Sequence, residues 1–292
     1  MEENKKSWYD RIYKWVLIIP LILILLSVGY LYNFNAQNGD IIRKDVSLTG
    51  GTIIEFNDPD LDINALQDTL KEEFSDIIVG SKSDIRTGKQ TGVIIKSSAS
   101  SEDLKRAIEN FLGHELIDAS IKQSNPTLSS GFYKQLRSAI LIAFGLMALV
   151  VFLIFRKFVP GAAVVLSAFA DIIMTIAAIN LLGINLSLAG ITAFLLLIGY
   201  SVDTDILLTS RLLRRHDGST NKRLFEAFKT GTTMTLTSIA AVSVVLFIIF
   251  NSSEALRQIF TILLIGLSFD LLNTWLMNAS ILKWYVDRGG RE

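Results

Sequence analysis

The sequence predicts an α-helical membrane bundle of six transmembrane helices, with an extracytoplasmic α+β domain inserted between helices 1 and 2. Three observations carry that expectation. Half of the 292 residues are apolar and only 19% are charged, which leaves too few polar side chains to cover a soluble globule of this size. The charges that exist lie outside a set of long uncharged stretches. Roughly a hundred residues after the first such stretch alternate instead between strand-like and amphipathic helical patterns.

Taken in order, Trp15 to Gly39 carries no charge and forms the first span. Its apolar run is too long for a cleavable signal peptide and lacks a small-residue cleavage pattern, so a retained helix is expected within residues 1–33. Ser138 to Phe155 is uncharged and gives a second span over 138–155. From Phe158 to Val202 there is one charge, Asp171, in a stretch with room for two crossings of about 20 residues each. Gly183-Ile184-Asn185 is the turn between them, which places the third span at 159–182 and the fourth at 186–209. Thr230 to Ser253 is uncharged and Gln258 to Leu282 carries only Asp270, giving spans at 230–250 and 258–282.

Lys and Arg set the orientation. With the N-terminus inside, the cytoplasmic pieces hold Lys5, Lys6, Arg11 and Lys14, then Arg156 and Lys157, then the cluster from Arg211 to Lys229, then Lys283, Arg288 and Arg291. The outer short loops hold only Arg257. Both termini are therefore expected in the cytoplasm, in a multi-pass protein of the cell membrane. Trp8, Tyr9, Tyr13 and Trp15 at one end, and Trp284 and Tyr285 at the other, stand where amphipathic rings anchor at a lipid interface.

Residues 34–136 then form a domain outside the membrane, ahead of a five-helix membrane part over 137–292. Gly51 to Phe56 is β-rich after a Gly-Gly turn, and Ile63, Leu66, Leu70 and Phe74 recur at helical spacing. Ile77 to Val79 and Val93 to Ile95 are short strand cores around a polar turn containing Gly88 and Gly92. Leu104, Ile108 and Phe111 mark a second amphipathic helix, with Ser100 and Ser101 as candidate caps, and Leu116 to Ile121 alternates like a last strand. The order β-α-β-β-α-β is the ferredoxin-like arrangement, which hosts many functions and names none.

Several chemistries are excluded. With no cysteine there is no disulfide, thiol catalysis or thiolate-bound metal, and His114 and His216 are too far apart for a local metal motif. No phosphate-binding G-x-x-x-x-G-K-[ST] loop occurs, and a net charge of zero gives no global field for nucleic acid. No cofactor and no enzyme activity are expected. Arg214, Arg215, Lys222 and Arg223 form the basic cluster, suited to setting topology and meeting anionic membrane lipid.

What remains is ionisable residues inside spans, each costing about 2.5 to 3.5 kcal/mol at a helix centre and by default marking a pathway. Asp171 and Asp270 fall near mid-bilayer, and Asp203 and Asp205 in the inner part of the fourth span. At 100° per residue the last two point about 200° apart, so they face opposite sides of one helix. Asp203 shares its face with Gly199, where a missing side chain admits a close helix, and Asp205 shares its face with Ser201 and Thr209. Asp205 pairing with Arg211 or Arg215 is the structural alternative. For Asp171 and Asp270 it is a hydrogen bond to Asn273, Asn180 or a serine that only glues helices. Asp171 with Asp203 is the pair to test as a proton-sharing dyad. Thr230, Thr233 and Thr237 form a hydroxyl stripe that either packs or lines a polar path.

With that layout and these residues, the chain resembles the SecF family of protein-export translocase subunits, in the resistance-nodulation-division superfamily. The resemblance is carried by Leu48-Thr49-Gly50-Gly51 with Ile54 and Phe56, Asn125-Pro126-Thr127-Leu128, Ala170-Asp171-Ile172-Ile173, and Ile198-Gly199-Tyr200-Ser201-Val202 followed by acids. It implies a heteromer with a SecD-like membrane subunit at the Sec translocation channel, acting on secreted polypeptide chains and driven by the proton gradient. Bacterial relatives follow the Gly-Tyr-Ser motif with Asn-Asp-Thr, where this chain reads Asp203, Thr204 and Asp205. They place a basic partner for that acid near the start of the fifth span, where this chain has Thr233. Asp203 is the favoured proton acceptor and Asp171 the second polar element, with the inward choice between Asp203 and Asp205 left open. The rival readings are a half-transporter for lipids or small molecules and a scaffold without ion flux.

Overall fold

The computed structural model describes residues 8–84, 87, 89–214, 218–250 and 254–289. The first span is α1 (Trp8–Val16) continued as α2 (Ile18–Asn38), and it stops at Gly39, whose positive φ of 73° lets its N–H close on Asn35 O at 2.8 Å. A short turn, α3 (Val46–Thr49), follows, capped by the Asp45 carboxylate on Ser47 N–H at 3.0 Å.

The chain then enters a four-stranded sheet: β1 (Gly51–Phe56), α4 (Ile63–Glu73), β2 (Ile78–Ser83), β3 (Gln90–Ser97), α5 (Ser101–Leu112) and β4 (Ser120–Ser124). The strand order is β2-β3-β1-β4 and every neighbouring pair is antiparallel. Gly51 makes that junction possible, because at φ 138° any Cβ there would lie 2.3 Å from Ser97 O. Alternation along the strands sends Ile54, Phe56, Val79, Val93 and Ile95 to one face. There they pack on Leu66 and Leu70 of α4 and Leu104 and Ile108 of α5. Asp62 and Ser100 cap the two helices. The last strand starts later than its apolar pattern suggests. Leu116 belongs to a loop packed on this core, with its N–H bonded to Glu109 Oε1 at 2.9 Å. Gly92 lies inside β3 rather than in the turn before it, and Gly88 is outside the described residues.

The bundle continues with α6 (Pro126–Phe155), α7 (Phe158–Leu181), α8 (Leu188–Arg214), α9 (Thr220–Ile249) and α10 (Glu254–Leu272), then a π-helical segment Asn273–Asn278 and α11 (Ala279–Asp287). Six helices among the described residues are long and apolar enough to cross a membrane, and the chain is a multi-pass membrane protein. Several run beyond the uncharged stretches. α6 begins at Pro126, α9 at Thr220 and α8 reaches Arg214, because charge bars a helix from hydrocarbon but not from extending past it. α7 and α8 have 56% of their apolar windows buried, against 11% for the first, second and fifth spans, so they form the centre of the bundle.

Two polar junctions close its ends. At the sheet end, Asp45 N–H donates to Leu186 O (2.9 Å) and Leu186 N–H to Arg43 O (2.7 Å), and Asn180 donates to Ile41 O at 2.7 Å. Gln258 of α10 donates to Asn185 O at 2.5 Å and accepts from Ser187 N–H at 3.1 Å. At the opposite end, buried Lys283 pairs with Asp10 at 2.6 Å and Asp287 at 3.2 Å and donates to Asn221 at 2.8 Å.

Candidate functional site

Three aspartates meet inside the bundle, each with 0% exposure: Asp171 of α7, Asp205 of α8 and Asp270 of α10. Asp171 accepts from Ser201 Oγ of α8 at 2.6 Å and from Asn273 Nδ2 at 2.7 Å. Asp205 Oδ1 accepts from Asn278 Nδ2 at 2.7 Å and from Thr274 Oγ1 at 2.9 Å. Asp270 Oδ1 lies 3.3 Å from the same Thr274 hydroxyl. All three carboxyls are within electrostatic reach of one another, and none forms an ion pair with a described Lys or Arg.

The π-helical segment builds this arrangement. Ala279 N–H bonds to Thr274 O, five residues back, which widens the turn. On a regular α-helix Asn273 and Asn278 would point about 140° apart. In the widened turn Asn273 reaches Asp171 while Thr274 and Asn278 reach Asp205.

Hydrogen counting shows what the site can do. Thr274 has one hydroxyl hydrogen and two carboxylate oxygens within reach, so the second contact is a hydrogen bond only when a carboxyl itself supplies the hydrogen. The amide oxygens of Asn273 and Asn278, also buried, have no donor among the described residues. One further hydroxyl, that of buried Ser167, stands against Asp205, but Asp205 Oδ2, Asp270 Oδ2 and the two amide oxygens are four acceptors without a donor among the described residues, so a proton placed on a carboxyl satisfies acceptors already waiting. Three negative charges with no neighbouring cation in a water-poor interior are strongly unfavourable, which makes shared protons the natural compensation.

The structure brings together Asp171, Asp205, Asp270 and Ser201 among the expected site residues, and leaves out Asp203, Gly199 and Thr233. Asp203 is exposed on this chain, so the pair Asp171 with Asp203 does not form the dyad. Among the described residues nothing lies within 4 Å of a Cβ built on Gly199, so none of the described helices fills the space beside it. Asp205 does not pair with Arg211, which donates to Glu226 O at 2.7 Å, and Arg215 is outside the described residues. Thr233 is exposed and donates to Lys229 O at 2.7 Å, as Thr237 does to Thr233 O at 2.9 Å, so this stripe is spent on its own helix. The threonine of α9 that turns inward is Thr235, 3.5 Å from Thr204 of α8. Asn180 serves the sheet-end junction instead of an aspartate. The sequence does not mark Thr274 and Asn278 as site residues; the signal it carries is Asn273 and Asn278, five residues apart in an otherwise apolar stretch, with Thr274 beside the first.

The family model "Protein export membrane protein SecD/SecF, C-terminal" matches residues 104–288. The chain belongs to the SecD/SecF protein-export family. Curated relatives named protein-export membrane protein SecF agree: one from Methanocaldococcus jannaschii is 40% identical, with 94% of this chain and 96% of the relative covered. Another, from Methanolacinia petrolearia, is 38% identical over 95% of both chains. Among solved structures, a crystal structure of SecDF, a translocon-associated membrane protein from Thermus thermophilus, aligns with a TM-score of 0.74 at 17% identity. The match covers 98% of this chain and 39% of that one, and it speaks for the fold. Within the SecD/SecF family model lie all three buried aspartates and the π-helical segment that binds two of them.

Proposed function

We propose that this chain is an accessory membrane subunit of the protein-export translocase. In this reading it works beside a SecD-like subunit at the translocation channel, and proton movement through Asp171, Asp205 and Asp270 drives its action on secreted polypeptide. The family supports the first part. The observation that carries the second is the cation-free trio of buried carboxyls sharing too few hydrogens. A carboxyl that gains or loses a proton there changes the charge between α7, α8 and α10 and so shifts the balance between two helix arrangements. One elementary charge crossing 100 mV is worth about 2.3 kcal/mol, close to a fiftyfold shift.

The same reading places the sheet, as a ferredoxin-like domain, outside the cytoplasm and both chain ends inside, which the skew of Lys and Arg supports. It gives Asp203 to the partner. An exposed carboxylate within a span is costly in lipid, and the bare surface at Gly199 beside it admits a neighbouring helix, so a SecD-like subunit covers that face. Apolar side chains such as Leu25 and Phe247, at 71% and 83% exposure, face membrane lipid.

The test is export into energised membrane vesicles. Asp205→Asn, which keeps an acceptor for Thr274, should reduce gradient-dependent export to its gradient-free level while the subunits still co-purify. Unchanged kinetics would remove the proton-linked role. Capture of lipid or small molecules, and no exported chain, by cross-linkers in the sheet domain would favour a half-transporter instead.

A further inference from the structure

The outer face of the sheet carries one charged side chain into the junction with the bundle. Lys96 of β3 is 7% exposed, and its ammonium pairs with Asp45 at 2.8 Å and with Glu254. The three residues come from three bodies. Lys96 is anchored in the sheet by register with Ile53 and Ile78. Asp45 is bonded through its backbone to Leu186 in the turn between α7 and α8. Glu254 is the first residue of α10, the helix whose other end carries Asp270.

From Glu254 to Asp270 α10 is unbroken, so the two carboxyls are separated by about 24 Å along one rod. Gln258, one turn inside, ties that rod to Asn185 and Ser187. A displacement of α10 is therefore carried to the Leu186 turn, and with it to Asp45. Lys96 is the arm by which the sheet domain holds both.

We infer that Lys96 is the positioning residue that couples the sheet domain to the carboxyl cluster: a movement of α10 set by the charge around Asp270 is delivered to the sheet through Glu254 and Asp45. This rests on the proton-linked reading above and adds the route to it. The chemistry fits a coupling element better than a passive staple. Lys96 has one strongly buried acid, Asp45, and one half-exposed acid, Glu254, whose side chain is 43% exposed. A shift of α10 changes the second contact while the first keeps the ammonium compensated, so the sheet can follow the helix without losing its charge partner. Arg257 also borders this cleft, and Glu55, Lys82 and Lys122 border the next one along, but Arg257 donates to Phe250 O and Lys122 pairs with Glu55. Around Asp270 the charged groups facing it are Asp171 of α7 and Asp205 of α8.

The test uses the full-length chain with its SecD-like partner in lipid nanodiscs. Because there is no native cysteine, spin labels can be placed singly at exposed Arg106 of α5 and Leu182 at the end of α7, and the distance between them measured over a range of pH. Difference infrared spectra of the same samples report carboxyl protonation independently. The expected result is a pH-dependent distance change in the wild type that Asp270→Asn removes. Lys96→Met and Glu254→Gln should also remove it while leaving the bands of the bundle carboxyls, those that Asp270→Asn and its Asp171 and Asp205 counterparts alter, unchanged, and Lys96→Arg should retain it. Carboxyl protonation that changes without any distance change in the wild type, or a change that persists in Lys96→Met, overturns the coupling and leaves the proton site standing. Absence of any carboxyl titration overturns both.

Discussion

Asp203 and Asp205 differ by two positions and by everything that matters chemically. Helical geometry alone puts them on opposite faces, and the structure turns Asp205 inward onto Thr274 and Asn278 while Asp203 remains exposed. Which one faced inward was not legible, because Gly199 beside Asp203 reads equally well as a packing site within this chain or against another. The donors that decide it lie 69 and 73 residues away. Thr274→Val tests their value. It removes one hydrogen shared by two buried carboxyls, and should lower stability by about 1 to 3 kcal/mol, read as a lower thermal midpoint in detergent. Asn273→Ala should cost a similar amount, since Asp171 keeps Ser201 but loses its amide donor. Thr233→Val, which alters only an exposed hydroxyl bonded within its own helix, should leave the midpoint unchanged.

Among the elements, the spans were legible from the distribution of charge and the sheet domain from its change of period, because both patterns are local. The π-helical segment was not. Its residues read as an ordinary apolar helix, and only the five-residue return bond from Ala279 to Thr274 gathers the polar ones. Close packing of α9 on the same region gives a second test. A Cβ at Gly231 would lie 2.6 Å from the Trp275 ring and 3.1 Å from Thr204, and a rigid buried indole has little room to yield. Gly231→Ala should destabilise by about 1 to 3 kcal/mol, whereas Gly145→Ala, in open space inside α6, should stabilise slightly, by up to about 1 kcal/mol.

The sheet–bundle junction adds a pH dependence whose sign follows from Lys96. Burial alone would push the ammonium below its ordinary value, but Asp45 and Glu254 outweigh it and hold the value above 10.5. While its carboxylate partners are ionised, the ammonium therefore contributes in full below 10.5, and that contribution is lost as pH rises through the higher folded value. Protection factors of the β3 amides, the exchange rates divided by the base-catalysed rates of a free chain at the same pH, should be constant across neutral pH and fall only under strongly alkaline conditions. Lys96→Met should weaken docking by about 3 to 5 kcal/mol, because Asp45 is left buried without its cation.

At the scale of the whole molecule, a sheet domain sits on the end of a bundle whose centre holds protonatable groups, and α10 runs between the two. The six apolar spans and the presence of a small antiparallel sheet could be read in sequence. The connection between them could not, since Lys96 and Glu254 are 158 positions apart and each looks like an ordinary surface charge. The central claim is that Asp171, Asp205 and Asp270 exchange protons as one unit. It is tested most directly by proton flux into liposomes containing the chain with its SecD-like partner. The account predicts flux in the wild type that Asp171→Asn, Asp205→Asn or Asp270→Asn each abolishes and Thr233→Val preserves. Equal flux in the wild type and in a variant lacking all three carboxylates would contradict it.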